Sequence, residues 1–179
     1  MTKFLKRLFN KVKWHDLRIL EPISNIFGLD RGTPIDRIYI EDFLEKNRDN
    51  IRGVVCEIAD STYSKKFGNN ITKFEVFDFL DNENTTIVGD LSQVSNLPDQ
   101  MVDCFIVTQT LNFIYDFQSA IEGLHKVLKT EGVALVTVAG ICQISRYDMD
   151  RWGDYWRFTD LSIKKAFSAV FGEENVIVD

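Results

Sequence analysis

Five short runs of apolar, largely β-branched residues constrain the fold of this chain more than any other feature. In chain order they are "GVVCEIA" from Gly53, "KFEVFDF" from Lys73, "TTIVGD" from Thr85, "VDCFIVTQ" from Val102 and "GVALVTVAG" from Gly132. Runs of this length bounded by polar residues are typical of strands. Because most of them are apolar almost throughout, we expect a parallel sheet that is buried on both faces.

Helical spacing is found between and around these runs. Between the fourth and fifth runs, Ile121, Leu124 and Val127 recur at helical intervals, and Gly132 follows that segment. An earlier helix begins at Thr33, whose hydroxyl can cap it ahead of a proline, and a later helix covers "DLSIKKAFSAVFG". Strand, helix and strand in this order imply right-handed crossovers, and therefore a doubly wound, mostly parallel α/β sheet.

Two features depart from that plan. The link "LDNEN" between the second and third strands is shorter than the dozen or so residues that a parallel crossover needs. The last segment, "ENVIVD", is predicted as a sixth strand with nothing after it to pair with its edge. A missing final antiparallel strand, a truncated chain or a homo-oligomer formed through this C-terminal edge strand would each account for the second feature.

Composition excludes several classes of protein. The 179 residues carry a net charge of −6, which argues against general affinity for nucleic acid. The three cysteines, Cys56, Cys104 and Cys142, have no paired spacing and indicate reduced, buried thiols and a cytoplasmic location. Because His15 and His125 are isolated, no metal site is predicted.

The first segment, "MTKFLKRLFNKVKW", has the pattern of a basic amphipathic helix. We expect it to form, with a linker, a region over residues 1–30 that precedes one domain over residues 31–179. The segment lacks the features of a secretory signal, and no transmembrane segment is predicted. Docking on the domain or on a partner is favoured over weak contact with a membrane surface.

Acidic residues follow several of the predicted strands. Ligands of open α/β sheets bind outside the carboxyl ends of the strands. Asp78 comes about twenty residues after the first strand, where an acid commonly binds ribose hydroxyls. Asp90 is placed to accept from the amine of an adenine. An equally good interpretation of either acid is a cap on the next helix or turn.

Taken in order, "EIAD", "FD", "VGDL", "LPDQMVDCFIVTQTLNFIYD" and "LHKVLKTEGVALVTVAG" resemble the class I S-adenosylmethionine-dependent methyltransferases, particularly the type 11 group. The resemblance runs from about Leu29 to the end and implies their Rossmann-like fold. The phrases "LDRGTPIDRIYIEDFL" and "SRYDMDRWGDYWRFT" are similar to a subgroup associated with polysaccharide and glycosyl-transfer pathways.

The resemblance also implies a set of cofactor contacts. Carried over by position, it implies that Glu57, Ala59 and Asp60 meet the methionine portion of S-adenosylmethionine, Asp78 the ribose, Asp90 and Leu91 the adenine, and Thr108 and Gln109 the methionine carboxylate or the sulfonium. The chain departs from the family after Glu57, since the usual loop carries two or three glycines and this one has none before Gly68.

The missing glycines have a physical interpretation. Dinucleotide sites need glycines so that the backbone can close on a pyrophosphate, but S-adenosylmethionine has no phosphate. The departure therefore disfavours a nicotinamide-dependent enzyme more than a methyltransferase. Side chains such as Asp60, Ser61, Thr62 or Tyr63 are candidates for its amino acid tail. The tail carboxylate has two candidate partners, Arg31 and Arg37.

The segment "SRYDMDRWGDYWRFT" after the fifth strand is expected to overhang the site and bind the acceptor. Flat aromatic faces beside carboxylates suit a sugar. The candidates are Tyr147, Arg151, Trp152, Tyr155 and Trp156 for acceptor binding, with Asp148 or Asp150 as the catalytic base. The alternative is that Trp152 and Trp156, four residues apart, pack one helical turn onto the sheet, with the arginines and aspartates of the segment paired around them.

These observations predict a methyltransferase that acts on a hydroxyl of a sugar, a glycan or another small metabolite. The alternative from a different class is a methyltransferase-like domain without turnover that serves as a binding or assembly module. The missing glycines, the short second crossover and the unpaired last strand would all permit it.

Overall fold

A computed structural model describes Leu20, Ser24 and residues 32–179. The chain divides into two compact units, Met1–Tyr39 and Ile40–Asp179, and the account below concerns the second unit unless stated otherwise. The predicted amphipathic helix and Arg31 lie outside the described residues. The predicted boundary between residues 30 and 31 stays a prediction.

Five strands form one parallel sheet in the described part of the chain, which confirms the predicted fold class. The strands are β1 Gly53–Ile58, β2 Ile71–Asp78, β3 Ile87–Val88, β4 Val102–Thr108 and β5 Leu128–Thr137. Their order across the sheet is β3-β2-β1-β4-β5, and every neighbouring pair is parallel. The order reverses at β1, so the switch point lies between β1 and β4.

Helices cover both faces of this sheet. They are α1 Ile35–Lys46, α2 Thr62–Phe67, α3 Phe117–Val127, α4 Arg146–Met149 and α5 Asp160–Phe171, with 3₁₀ turns at Arg48–Asn50, Val94–Asn96, Leu111–Phe113 and Glu173–Asn175. On one face, Leu44 of α1 and Phe67 of α2 pack in a core with Val55. On the other face, α3 and α5 pack in a core that contains Phe105 and Val107. Within the described residues, no helix is long and apolar enough to cross a membrane.

The link between β2 and β3 has no helix. Residues 79–86 connect the strands, and β3 pairs with β2 through two residues only, Phe77 with Ile87 and Asp78 with Val88. A very short strand and a helix-free link together explain how so few residues make a parallel crossover. Phe79 is exposed, and none of the described helices covers this end of the sheet.

The predicted sixth strand is wrong. Gly172, with φ of 86°, ends α5 and leads into a 3₁₀ turn, after which Val176–Asp179 makes no ladder with the sheet. β-branched residues favour a strand only where a pleated partner surface receives them. Here Val176 packs on the core while Ile177 is 90% exposed. The expected C-terminal edge strand, through which an oligomer was predicted to form, is therefore not present among the described residues.

The cysteines differ from one another in burial. All three are free thiols, and Cys56 and Cys104 are buried as predicted. Burial raises the pKa of the Cys104 thiol to about 12, so this thiol is protonated at neutral pH. The prediction that Cys142 is buried is wrong, because the residue lies in the loop after β5 rather than in a strand.

Candidate functional site

A crevice opens between β1 and β4 at their carboxyl ends. The two strands pair as far as Glu57 with Ile106. Beyond this point, the amide of Ala59 donates to Phe77 of β2 at 3.0 Å, and the amide of Gln109 donates to Thr137 of β5 at 2.8 Å. Neighbouring strands thus diverge to opposite partners, which is the geometry that creates a ligand crevice in an open α/β sheet.

Left-handed backbone occurs on both sides of this crevice. Ala59 has a φ of 67° and Gln109 a φ of 50°, although neither is glycine. Such a conformation costs a residue with a Cβ about 1–2 kcal/mol. Strained residues cluster at functional sites, where the surrounding structure holds them in place. Three other described non-glycine residues, Asn70, Gln100 and Glu131, also have positive φ, but they lie before or early in their strands. Ala59 and Gln109 follow the carboxyl ends of β1 and β4, where ligands of such sheets bind, so they support the crevice as the candidate site. Both are among the predicted cofactor residues.

Glu57 organises the loop that follows β1. Its side chain belongs to a residue only 3% exposed, and its two carboxyl oxygens accept from the amides of Tyr63 at 3.0 Å and Ser64 at 2.8 Å. Burial raises the pKa of this carboxyl, and the two amide hydrogen bonds partly oppose that shift. Glu57 thus supports the turn from β1 into α2, with both oxygens engaged.

Two other residues predicted for the methionine tail, Asp60 and Tyr63, differ in burial. The Tyr63 ring is buried and stacks on Phe67 at 6.2 Å, within the core beneath α2. Asp60 is exposed in the loop, and its Oδ1 accepts from the amide of Thr62 at 2.7 Å. Arg37 belongs to the first unit of the chain.

Asp78 and Asp90 both hold turns that follow strands. The two carboxyl oxygens of Asp78 accept from the Leu80 amide at 3.0 Å and the Asn82 side chain at 3.1 Å. Asp90 uses one oxygen, Oδ1, for the amide and hydroxyl of Ser92 at 2.9 and 2.7 Å. Both acids therefore cap turns, as the alternative interpretation of them predicted. No donor among residues 32–179 contacts Oδ2 of Asp90, so that oxygen is the more available acceptor.

Leu91, predicted to contact the adenine, packs closely against α3 through its backbone. Its side chain lies in the core, 2% exposed. A Cβ built on Gly123 of α3 would lie 2.1 Å from the Leu91 carbonyl oxygen, so only glycine permits this approach. The contact places the turn that carries Asp90 directly on α3. On the other side of the crevice, the Thr108 carbonyl accepts from the Thr110 hydroxyl at 3.0 Å.

The post-β5 loop, residues 140–157, carries most of the residues predicted for the acceptor. Trp152 and Trp156 do not share a helical turn, because α4 ends at Met149 and residues 153–159 are not helical. The helical turn in that alternative is therefore wrong, but its packing of Trp156 on the core and its pairing of an arginine with an aspartate, Arg157 with Asp154, are present. Trp152 is half exposed, whereas the Trp156 indole packs edge-on against Phe117 and donates to the carbonyls of Ile114 and Tyr115.

Tyr115 and Tyr155 form an exposed pair of rings, here called the tyrosine platform. Their exposed fractions are 71% and 50%, and their centroids lie 5.4 Å apart in an edge-to-face arrangement. A Cβ on Gly153, whose φ is 85°, would lie 2.3 Å from the Tyr155 ring, so the ring rests on a bare backbone. Tyr115 was missed by the sequence analysis. Its signal is the aromatic-rich connection "LNFIYDF" directly after β4.

The candidate base lies on a short helix of the same loop. Asp148 is half-buried on α4 and Asp150 is exposed, and no donor in the described part of the chain contacts either carboxylate. The Arg151 guanidinium lies 3.5 Å from the centroid of the Tyr147 ring and donates to the Tyr147 carbonyl. Tyr147 and Arg151 therefore pair with each other.

A comparison with protein families finds one match. The family described as "Methyltransferase domain" matches residues 44–136, which is more than half of the chain. This range contains β1 to β4 and nearly all of β5, together with both residues that flank the crevice. No curated protein matches the sequence significantly.

Solved structures with the same fold have low sequence identity to the chain. A protein from Bacillus halodurans C-125 that is described as a methyltransferase has a TM-score of 0.57 and 12% identity, over 73% of this chain and 67% of that one. A SAM-dependent methyltransferase from Archaeoglobus fulgidus has a TM-score of 0.54 and 11% identity, over 80% and 71% of the two chains. These likenesses support the fold.

One further neighbour shows that this fold does not by itself specify a reaction. The [4+2]-cyclase SpnF has a TM-score of 0.51 and 15% identity, over 75% of this chain and 57% of that one. A protein of this fold can thus be named for a different reaction, since function depends on the residues of the site. The residues around the crevice must therefore carry the functional argument.

Proposed function

The chain belongs to the methyltransferase domain family, and on that basis we propose that it transfers the methyl group of S-adenosylmethionine to a hydroxyl of a sugar, a glycan or another small metabolite. The observation that carries the proposal is the crevice between β1 and β4, flanked by the left-handed residues Ala59 and Gln109. The Archaeoglobus neighbour, described as SAM dependent, supports the choice of cofactor.

The residues of the crevice fit this cofactor chemically. Bound S-adenosylmethionine supplies an electrophilic methyl group on a positively charged sulfonium. Three carboxylates lie at or just after the carboxyl ends of β1, β2 and β3, which favours a ligand rich in donors and positive charge: Asp60, Asp78 and Asp90. We assign Oδ2 of Asp90, which accepts no hydrogen bond from the described residues, to the adenine amine, and Asp78 to the ribose. The backbone around Ala59 and Gln109 would hold the methionine portion.

The acceptor is assigned to the tyrosine platform and the post-β5 loop. A sugar presents apolar C–H faces that suit aromatic rings and hydroxyls that suit carboxylates. Tyr115 and Tyr155 offer the rings, and Asp148 is the candidate to take the proton of the attacking hydroxyl. Alignment of the hydroxyl with the methyl group supplies most of the rate in such a transfer, so a well-held loop matters more than a strong base.

Cofactor binding tests the proposal first. We expect millimolar S-adenosylmethionine or S-adenosylhomocysteine to raise the melting temperature of the full chain, because a ligand that binds only the folded state stabilises it. Asp90→Ala and Asp78→Ala should each reduce this rise. Asp99→Ala is the matched control, since Asp99 is an exposed acid that precedes β4 at the opposite edge of the sheet. No rise with the unaltered protein would contradict the proposal.

Methyl transfer tests the acceptor class. The measurement is transfer of the labelled methyl group of S-adenosylmethionine to a panel of simple methyl glycosides and reducing sugars. Asp148→Asn should lower the rate at saturating cofactor while it leaves S-adenosylhomocysteine affinity unchanged, because the side chain acts on the acceptor. Equal loss of cofactor affinity in this variant would show that Asp148 is not the base.

A further inference from the structure

A buried ion pair closes the post-β5 loop. Both oxygens of Asp154 accept from Arg157, Oδ1 from Nη1 at 2.5 Å and Oδ2 from Nη2 at 2.7 Å. The Asp154 side chain is 2% exposed and the Arg157 side chain 26% exposed. A bidentate pair removed from water in this way is directional, because the planar guanidinium matches both carboxylate oxygens. We call these two residues the loop clamp.

The clamp joins the beginning of the loop to its end. Besides Asp154, Arg157 donates to the carbonyls of Cys142 at 3.4 Å, Gln143 at 2.9 Å and Trp156 at 2.8 Å. From the other side, Asp154 accepts from the amide of Ser145 at 3.3 Å. Residues near both ends of the loop are thus bound to one pair of side chains. A lysine would keep the charge but could bind only part of this set, because it lacks the planar fork.

The clamp is also attached to the wall of the crevice. Asn112, in the 3₁₀ turn that follows β4, accepts on its carbonyl from the amides of Tyr155 at 2.9 Å and Trp156 at 3.4 Å. Its buried side chain also donates to Asp154. The segment 154–157 is therefore connected to the carboxyl end of β4. This connection places the Tyr155 ring beside Tyr115, which comes from the same β4–α3 connection.

We propose that Asp154 and Arg157 are positioning residues that hold the post-β5 loop, with the Tyr155 ring and Asp148, in one conformation beside the crevice. The role of that loop in binding the acceptor rests on the proposed function. The clamp touches neither reacting group directly and acts through the loop backbone. Its removal should therefore change how the acceptor is bound and leave the cofactor half of the site intact.

Hydrogen–deuterium exchange of the full chain without any ligand tests the clamp. In Arg157→Ala we expect exchange of residues 142–155 to accelerate at least about tenfold, while α3 and β4 keep their protection. Arg157→Lys should restore part of the protection. Asp154→Asn, which keeps the shape and removes the charge, should show the same localised loss. Arg146→Ala is the control, because Arg146 is an exposed arginine of the same loop whose guanidinium donates to the Met149 sulfur and not to the clamp.

Two results would overturn the proposal. One is unchanged exchange of residues 142–155 in both Arg157→Ala and Asp154→Asn. The other is equal acceleration in α3 and β4, which would make the pair a general support of the core. Binding and kinetics add a second readout. In Arg157→Ala, the calorimetric affinity for S-adenosylhomocysteine should stay within about twofold, while the KM for any acceptor that is methylated should rise. Failure of the chain to bind cofactor would contradict the proposed function and leave the exchange result interpretable.

Discussion

The loop after β1 and the loop after β5 hold their conformations by different means. The β1 loop is short, and one buried carboxylate, that of Glu57, binds two amides within seven residues of it. The post-β5 loop depends on contacts between distant parts of the chain, such as Tyr155 with Tyr115 and Trp156 with Ile114. The first is a local backbone structure, and the second is built by tertiary contacts. The cofactor half of the site is therefore expected to be the more rigid of the two.

The largest expected effect concerns the β1 loop. Glu57→Ala leaves the amides of Tyr63 and Ser64 buried without an acceptor, and we expect it to destabilise the protein by about 3 kcal/mol. Denaturant unfolding measures this change. Glu41→Ala removes a partly exposed acid that pairs with Lys66 and should cost no more than about 1 kcal/mol. A loss of that smaller size in Glu57→Ala would mean that the β1 loop does not depend on this carboxylate.

Gly153→Ala should break the post-β5 loop and spare the β1 loop. The new methyl group meets the Tyr155 ring, and the left-handed backbone disfavours alanine, so we expect a local loss of about 2 kcal/mol. Exchange of residues 142–155 reports it. Gly140→Ala is the control in the same loop, because its Cβ would make only an ordinary contact with the Phe158 carbonyl. Similar exchange in the two variants would show that Tyr155 is not held in place by Gly153.

Ala59→Gly tests the strain at the crevice. Glycine adopts the left-handed conformation without penalty, so this variant should gain about 0.5–1 kcal/mol of stability after the entropy lost by a more flexible unfolded chain. Thermal unfolding measures the gain. Ala139→Gly, where φ is not positive, should lose a similar amount. If both variants were destabilised, the strain assigned to Ala59 would be absent.

The smallest expected effect is on pH dependence. Because the pKa of Glu57 is raised in the folded state, that state binds the Glu57 proton more tightly than the unfolded state does. The contribution of this proton to the free energy of unfolding therefore falls as pH rises from about 4.5 through the raised value. Arg157 lowers the pKa of Asp154, so that contribution is present above about 3.8 and is lost as pH falls through the lowered value. The free energy of unfolding, measured between pH 3 and 7, should change less with pH at the upper end of this range in Glu57→Gln. In Asp154→Asn it should change less with pH at the acid end.

The extent to which the site was predictable follows the same division. The positions of Ala59 and Gln109 directly after strands, and of Asp90 one residue further on, were predictable because strand ends meet at one edge of a parallel sheet. Their contacts with a cofactor stay a prediction. Their environments were less predictable. Tyr63 was placed in the site with Asp60, but α2 begins at Thr62 and directs the tyrosine ring onto Phe67. Tyr115 has no partner near it in sequence, so its pairing with Tyr155 required the fold.

The sequence by itself determined the five strands and the three longer helices, because apolar runs and helical spacing such as that of Ile121, Leu124 and Val127 are local patterns. The order of its strand-end phrases also indicated the family. Only the tertiary structure decided that "ENVIVD" is not a strand, since a strand exists through its partner. It also decided that Asp154 and Arg157 close the post-β5 loop. An ion pair three residues apart is common in sequence, and it becomes a clamp only where the carbonyls of Cys142 and Gln143 meet it in space.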